Sequence, residues 1–274
     1  MAILHTARHE PRAIARWPRV PPNLFGMAFG VAGLAQAWRA AVAFTAGRVL
    51  VIVFLAVTTI LGGWLTGQWM TGGIDQDSVH PGYFLPTVAG GLVGAYCAAQ
   101  VHLHALGEAS FGIGVICWLL LGSMILNRLF IRPALPPALM PTMAIEIAPP
   151  VVAGLAYFAL TGRAVNLVAC ALAGYAVLMA LAQVRLIPVY ARLSFTPGFW
   201  AFTFSYAAAV ADALVWMDLK HPPGASGYAI VIIALLTGFI AWIAARTVVL
   251  AVRRQLFPAW AQPAPAQPAP TQPT

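Results

Sequence analysis

The sequence predicts an all-α polytopic membrane protein, made of helical hairpins whose kinked inner members surround a central pore. Three observations carry that expectation. Of 274 residues, 61% are hydrophobic and only 8% charged, with a mean hydropathy of +0.83, whereas soluble domains are about 45 to 50% apolar and about 25% charged. An apolar excess of this size needs lipid to cover it. The apolar residues gather into stretches near spanning length, and prolines recur in alternate stretches.

At about 20 residues per span, the chain holds roughly eight to ten spans and leaves no room for a soluble catalytic domain. No enzyme is expected, since Gly-x-Ser-x-Gly, Gly-x-x-x-x-Gly-Lys-Ser/Thr and His-Glu-x-x-His are all absent from the sequence. An ATP-driven pump is excluded for a single chain. The balance of 15 Lys+Arg against 7 Asp+Glu gives a net charge of +8, but the arginines are scattered through predicted loops. That scatter suits membrane orientation and not a nucleic-acid partner. Cys97, Cys117 and Cys170 lie inside apolar stretches at spacings that match no metal pattern, so neither disulfides nor a metal is expected.

In chain order, residues 1–21 form a basic arm with Arg8, Arg12, Arg16 and Arg19 spaced by three or four. As a helix it would lay them on one face toward phosphate headgroups; as a disordered arm it would be solvated. Residues 22–257 form the membrane domain. Eight apolar segments follow one another, 22–38, 47–70, 82–101, 109–127, 138–160, 164–184, 197–217 and 226–252. Connections as short as Thr161-Gly162-Arg163 force antiparallel neighbours. Residues 258–274 alternate Pro, Ala and Gln, which reads as a disordered, polyproline-like tail.

Placing Arg8, Arg12, Arg16, Arg19, Arg128, Arg132, Arg185, Arg192, Arg253 and Arg254 on one side leaves Arg39, Arg48, Arg163 and Lys220 on the other. With positive charge inside, both termini are cytoplasmic and the chain is a multi-pass protein of the inner (plasma) membrane. The odd segments carry Pro21 and Pro22, Pro86, Pro141, Pro149 and Pro150, and Pro197, and the even segments as bounded above carry none. Proline frees a carbonyl and kinks a helix, which lipid tolerates where neighbouring helices or water satisfy that carbonyl. Odd segments should therefore be interior and even ones an outer ring. All odd segments run in the same direction, so they are related by rotation about the membrane normal, around a central pathway.

Ionisable groups inside spans are functional candidates, because a charge at mid-bilayer is costly and normally faces a cavity or partner. Here they are Glu146, three residues before Pro149, and Asp212. Each reads either as a proton-coupling carboxylate or as a hydrogen-bonded packing group. His102 and His104 form a pair at the end of the third segment, with His80 and His221 in other loops; two ligands make no metal site, and no haem or other cofactor is expected. Gly26 with Gly30 and Gly90 with Gly94 stand four apart, the spacing of close helix approach. Phe204 lies seven residues past Pro197, about 10 Å into the membrane at 1.5 Å per residue. Phe199, Trp200, Phe202 and Tyr206 make its surroundings aromatic all round, so position alone leaves gate and core filling both open.

The stretch Phe195-Thr196-Pro197-Gly198-Phe199-Trp200-Ala201-Phe202-Thr203-Phe204 resembles the ninth-helix motif of the tellurite-resistance/dicarboxylate transporter family, which includes bacterial TehA-type proteins and plant slow-type anion channels. Leu24-Phe25-Gly26-Met27-Ala28-Phe29-Gly30 is similar to its first helix, Leu85-Pro86-Thr87-Val88-Ala89-Gly90-Gly91 to its fifth, and the run from Leu139 through Glu146 to Pro150 to its seventh. The resemblance covers approximately residues 22–255. It implies a homotrimer, each protomer with its own pore lined by the odd helices of five hairpins and occluded by a phenylalanine that Phe204 matches. Phe29, Pro86, Thr87, Leu92, Pro149, Pro150 and Thr203 are the corresponding pore-lining or kink positions. Leu92 stands where the family often has an aromatic. The family has ten helices against the eight segments counted; segment 47–70 is most similar to the fourth, so the second and third are absent.

The function this implies is passage of small inorganic or organic anions through a weakly polar, phenylalanine-gated pore, with kinked helices offering backbone amides and helix-end dipoles to the anion. Two alternatives stand beside it. One is proton-coupled movement of malate-like C4-dicarboxylates or tellurite, with Glu146 or Asp212 titrating; the other is a non-transporting homologue lacking a helix pair.

Overall fold

The computed structural model describes residues 44–72 and 75–253. The basic arm, segment 22–38 with Gly26, Phe29 and Gly30, Arg39, Arg254 and the Pro/Ala/Gln tail lie outside the described residues. Among the described residues there is no strand, and seven helices are long and apolar enough to cross a bilayer. Their α-helical parts are α1 (Phe44–Met70), α2 (Gly90–Gln100), α3 (His104–Ile131), α4 (Ala148–Leu160), α5 (Leu167–Tyr190), α6 (Trp200–Lys220) and α7 (Ala225–Val252), with the spans of α2, α4 and α6 beginning at Pro81, Met140 and Pro197. The protein is an all-α polytopic membrane protein.

Two kinds of span alternate. α1, α3, α5 and α7 are unbroken helices of 24 to 28 residues. The spans of α2, α4 and α6 start in a proline-containing stretch of tighter or looser helix before turning to α-helix. A 3₁₀ turn at Pro81–Tyr83 and a π turn at Leu85–Ala89, holding Pro86, lead into α2. An eight-residue 3₁₀ stretch, Met140–Ile147, leads into α4, unusually long for a form that rarely exceeds three or four residues. A 3₁₀ turn at Pro197–Phe199 leads into α6. Pro149 and Pro150 fall in the first turn of α4, where a missing N–H costs no helical bond. The prolines thus mark a change of helical type near the start of each inner span.

Burial follows the same alternation. Along the most apolar window of each span, 78% of residues are buried in α4 with its lead-in and 72% in α2 with its lead-in, against 11% in α5, 17% in α7, 22% in α1 and 28% in α3. α6, at 33%, is intermediate; it packs on α4, on the 3₁₀ stretch before it and on α7. α2, α4 and α6 form an arc with α4 in the middle, and each is paired with the outer helix that follows it. Exposed side chains such as Ile60, Leu120, Leu181 and Leu235 point outward from the outer four, as lipid contact requires.

One expectation needs correcting. The sixth segment was bounded at residue 184 and counted as free of proline, but α5 continues to Tyr190 and contains Pro188. Pro188 lies in the last turn, where its missing N–H affects one carbonyl near the helix end and its fixed φ still fits.

Glycines set the closest approaches. A Cβ on Gly91 would stand 2.7 Å from the Gly114 backbone nitrogen and 2.9 Å from the Ser110 carbonyl, so α2 and α3 meet backbone to backbone. A Cβ on Gly94 would meet Leu55 Cδ2 at 2.6 Å, and one on Gly90 would meet Thr58 Cβ at 3.4 Å. The Gly90/Gly94 pair therefore seats α1. The α4–α5 turn passes through positive φ at Gly162 and Arg163 before the Asn166 side chain caps α5 by accepting from the Val168 and Ala169 N–H groups.

Candidate functional site: the inner arc

α6 carries two stripes with different neighbours. Phe199 and Phe202 belong to an aromatic cluster with Tyr190, Phe195, Phe239 and Trp242, with centroid separations of 4.8 to 6.1 Å, against α5 and α7. Ala201, Phe204, Ala208, Ala211 and Val215 recur every three or four residues and pack against the core shared with α2 and α4. Tyr206 touches both sets. The crowd of aromatics that the sequence leaves undivided is thus divided: Phe202 is core filling, fully enclosed, while half-buried Phe204 lies on the stripe turned toward α4. Thr203, also half-buried, donates to the Trp200 carbonyl at 2.8 Å.

On α2 the residues named from the sequence face outward from the arc. Thr87 Cγ2 lies 3.3 Å from where a Gly62 Cβ would stand, and Leu92 Cγ covers Gly114 at 2.7 Å from the equivalent point. Thr87 is therefore in the α1 seam and Leu92 in the α3 seam. Facing α4, α2 presents Val93 and Tyr96, which with Val152 and Leu155 enclose a void of about 10 Å³. The sequence signal for those two is the 93, 96, 97, 100 spacing of a helix face, which the family-like motif, ending at Gly91, does not reach.

Both intramembrane carboxylates are buried. Glu146 lies in the 3₁₀ stretch and Asp212 in α6, each about nineteen-twentieths enclosed, and Oε1 or Oδ1 lacks a hydrogen-bond partner among the described residues. Asp212 leans on α4 where a Cβ at Gly154 would meet Oδ1 at 2.9 Å, so that glycine makes room for the carboxylate. Near Glu146, buried Gln183 of α5 is a hub that the sequence reading did not single out. Its Nε2 donates to the Met143 carbonyl at 3.0 Å; its Oε1 accepts from the Tyr190 hydroxyl at 2.9 Å and the Tyr206 hydroxyl at 3.4 Å. A glutamine inside an otherwise apolar span was the available signal. Gln183 ties the 3₁₀ stretch to α5 and α6 and satisfies one of its carbonyls.

At the end of the bundle where α3 finishes, Arg128 is inside the helix and buried, not in a loop as the charge count took it to be. Its Nη2 donates to the Asp77 carbonyl at 2.9 Å, and Nε and Nη1 have no hydrogen-bond partner among the described residues. Arg132 pairs with the Asp77 carboxylate at 2.7 Å. His80 Nδ1 accepts from the Gly82 N–H at 3.1 Å; burial first, and then the Arg128 guanidinium, hold this imidazole below its ordinary pKa. Arg163 and Asp218 pair at 2.6 Å at the opposite end. Among the described residues no three His, Cys, Asp or Glu side chains gather as a metal would need.

Straight outer helices alternating with proline-marked inner ones define a polytopic membrane protein built of helical hairpins. The profile of the voltage-dependent anion channel family matches residues 20–248, and the chain belongs to that family. Over 172 residues it is 31% identical to the tellurite resistance protein TehA homolog of Haemophilus influenzae, a match covering 63% of this chain and 52% of that protein. The chain therefore spans about half the length of this curated relative.

Proposed function

We propose that this protein passes small anions across the membrane along the arc of α2, α4 and α6, with Phe204 as a steric plug. The observation that carries this reading is the division of the α6 aromatics: Phe204 lies half-buried on the stripe packed against the core shared with α2 and α4, whereas Phe199 and Phe202 are buried in the cluster against α5 and α7. A plug held by packing and not by charge moves by side-chain rotation, and a pathway lined by backbone dipoles binds anions weakly enough to release them. In this proposal the chain sits in the inner membrane with both termini cytoplasmic, assembles as a homotrimer, and comprises a basic arm at 1–21, the membrane domain at 22–257 and the tail at 258–274. Phe204→Ala, reconstituted in liposomes, should raise anion conductance severalfold; unchanged flux from a folded variant would defeat the plug.

A second reading is favoured by Glu146 Oε1 and Asp212 Oδ1, buried in the inner spans without hydrogen-bond partners among the described residues. Either could take up a proton and couple it to movement of a C4-dicarboxylate or of tellurite. Flux through Glu146→Gln should then lose its pH dependence, and a wild-type pH profile in that variant would assign Glu146 to packing.

A further inference from the structure

A cavity among the described residues lies away from the arc's interior, at the end of the bundle where α5 finishes. It has a volume of about 810 Å³ and lies between the last turns of α5, the α5–α6 loop and the segment before the 3₁₀ stretch. Its polar groups are Arg185, Arg192, Ser194 and Thr196, and its walls include Met140 and Pro188. Among the described residues no carboxylate lines it, and neither arginine forms a salt bridge. The Thr196 hydroxyl is buried without a hydrogen-bond partner among the described residues, beside Gly198, where a Cβ would stand 3.2 Å from both that hydroxyl and the Ala138 carbonyl. Two guanidinium groups, a loop hydroxyl and an unpaired buried hydroxyl form a donor set for a tetrahedral oxyanion.

The position of the cavity selects the carrier of that oxyanion. α5 is the least buried span, and Leu181, Val184 and Ile187, 63%, 61% and 56% exposed, run up its surface to the cavity. An apolar track that ends in a basic pocket at the close of a span matches an acyl chain joined to a charged headgroup. We propose that this cavity holds the phosphate of an anionic phospholipid, seated between Arg185 and Arg192 with an acyl chain along α5.

Native mass spectrometry of the full chain in detergent tests this with equimolar phosphatidylglycerol and phosphatidylcholine of matched acyl chains. Phosphatidylglycerol should be retained preferentially. Each arginine facing an anionic headgroup is worth about fivefold in affinity, so R185Q/R192Q should weaken retention by about thirtyfold. The single variants, each about fivefold weaker, serve if the double variant does not purify. R253Q, an exposed arginine at the end of α7, should retain the lipid as the parent does. Equal retention of both lipids, parent-like retention by R185Q/R192Q, or an equal loss in R253Q would overturn the site. Inorganic phosphate raising thermal stability through the same two arginines, with no lipid retained, would make it a free-phosphate site and overturn the lipid assignment.

Discussion

His80 caps the 3₁₀ turn that leads into α2 by accepting from Gly82 N–H, a bond that requires the unprotonated ring nitrogen. Its lowered pKa means that the folded chain binds this proton less readily than the unfolded chain. Above about pH 6.5, the ordinary value, the ring is neutral in both states and contributes no pH dependence. As pH falls through that value the unfolded state takes up the proton first, so stability declines toward acid. The thermal midpoint in detergent should drop between pH 7.5 and 5.5, and H80N, which keeps a capping side chain without an imidazole, should have a shallower slope. An equal slope would remove His80 from the balance.

α2 and α3 are held by an approach that only glycine permits. With the Gly114 nitrogen 2.7 Å from a Gly91 Cβ, the obstacle is backbone that cannot rotate away. Gly91→Ala should therefore cost about 1 to 3 kcal/mol by overpacking and lower the thermal midpoint. Gly63, with nothing within 4 Å of a Cβ, is the control: Gly63→Ala should leave stability unchanged or raise it by about 0.5 to 1 kcal/mol, the ordinary gain at a helix interior. A Gly91→Ala protein as stable as the parent would mean the seam can open without loss.

Across the whole molecule, charge is sorted by end. Arg128 and Arg132 meet at Asp77, and Arg185 and Arg192 share the cavity at the same end of the antiparallel bundle, while Arg163 pairs with Asp218 at the other. In the proposed orientation, with positive charge inside, the first group faces the cytoplasm. In a background lacking the three native cysteines, Ser194→Cys should react with an impermeant thiol reagent only in inside-out vesicles, and Gly162→Cys only from the outside. The reverse pattern would invert the topology.

Membrane class, the seven described spans and the burial of α2 and α4 were legible in the residues, because hydropathy and proline placement act through local chemistry that the bilayer enforces span by span. Pro86 and Pro149 pointed to those two spans by that route, whereas Pro197 starts a span of intermediate burial and Pro188 lies in an outer one. What the tertiary structure alone decided is direction. Thr87 and Leu92 look into seams with α1 and α3, Phe202 and Phe204 part to opposite stripes, and Gln183 meets Met143, Tyr190 and Tyr206. A helix two residues on has turned about 200°, so which partner a side chain meets depends on rotation and tilt, and only packed neighbours set those.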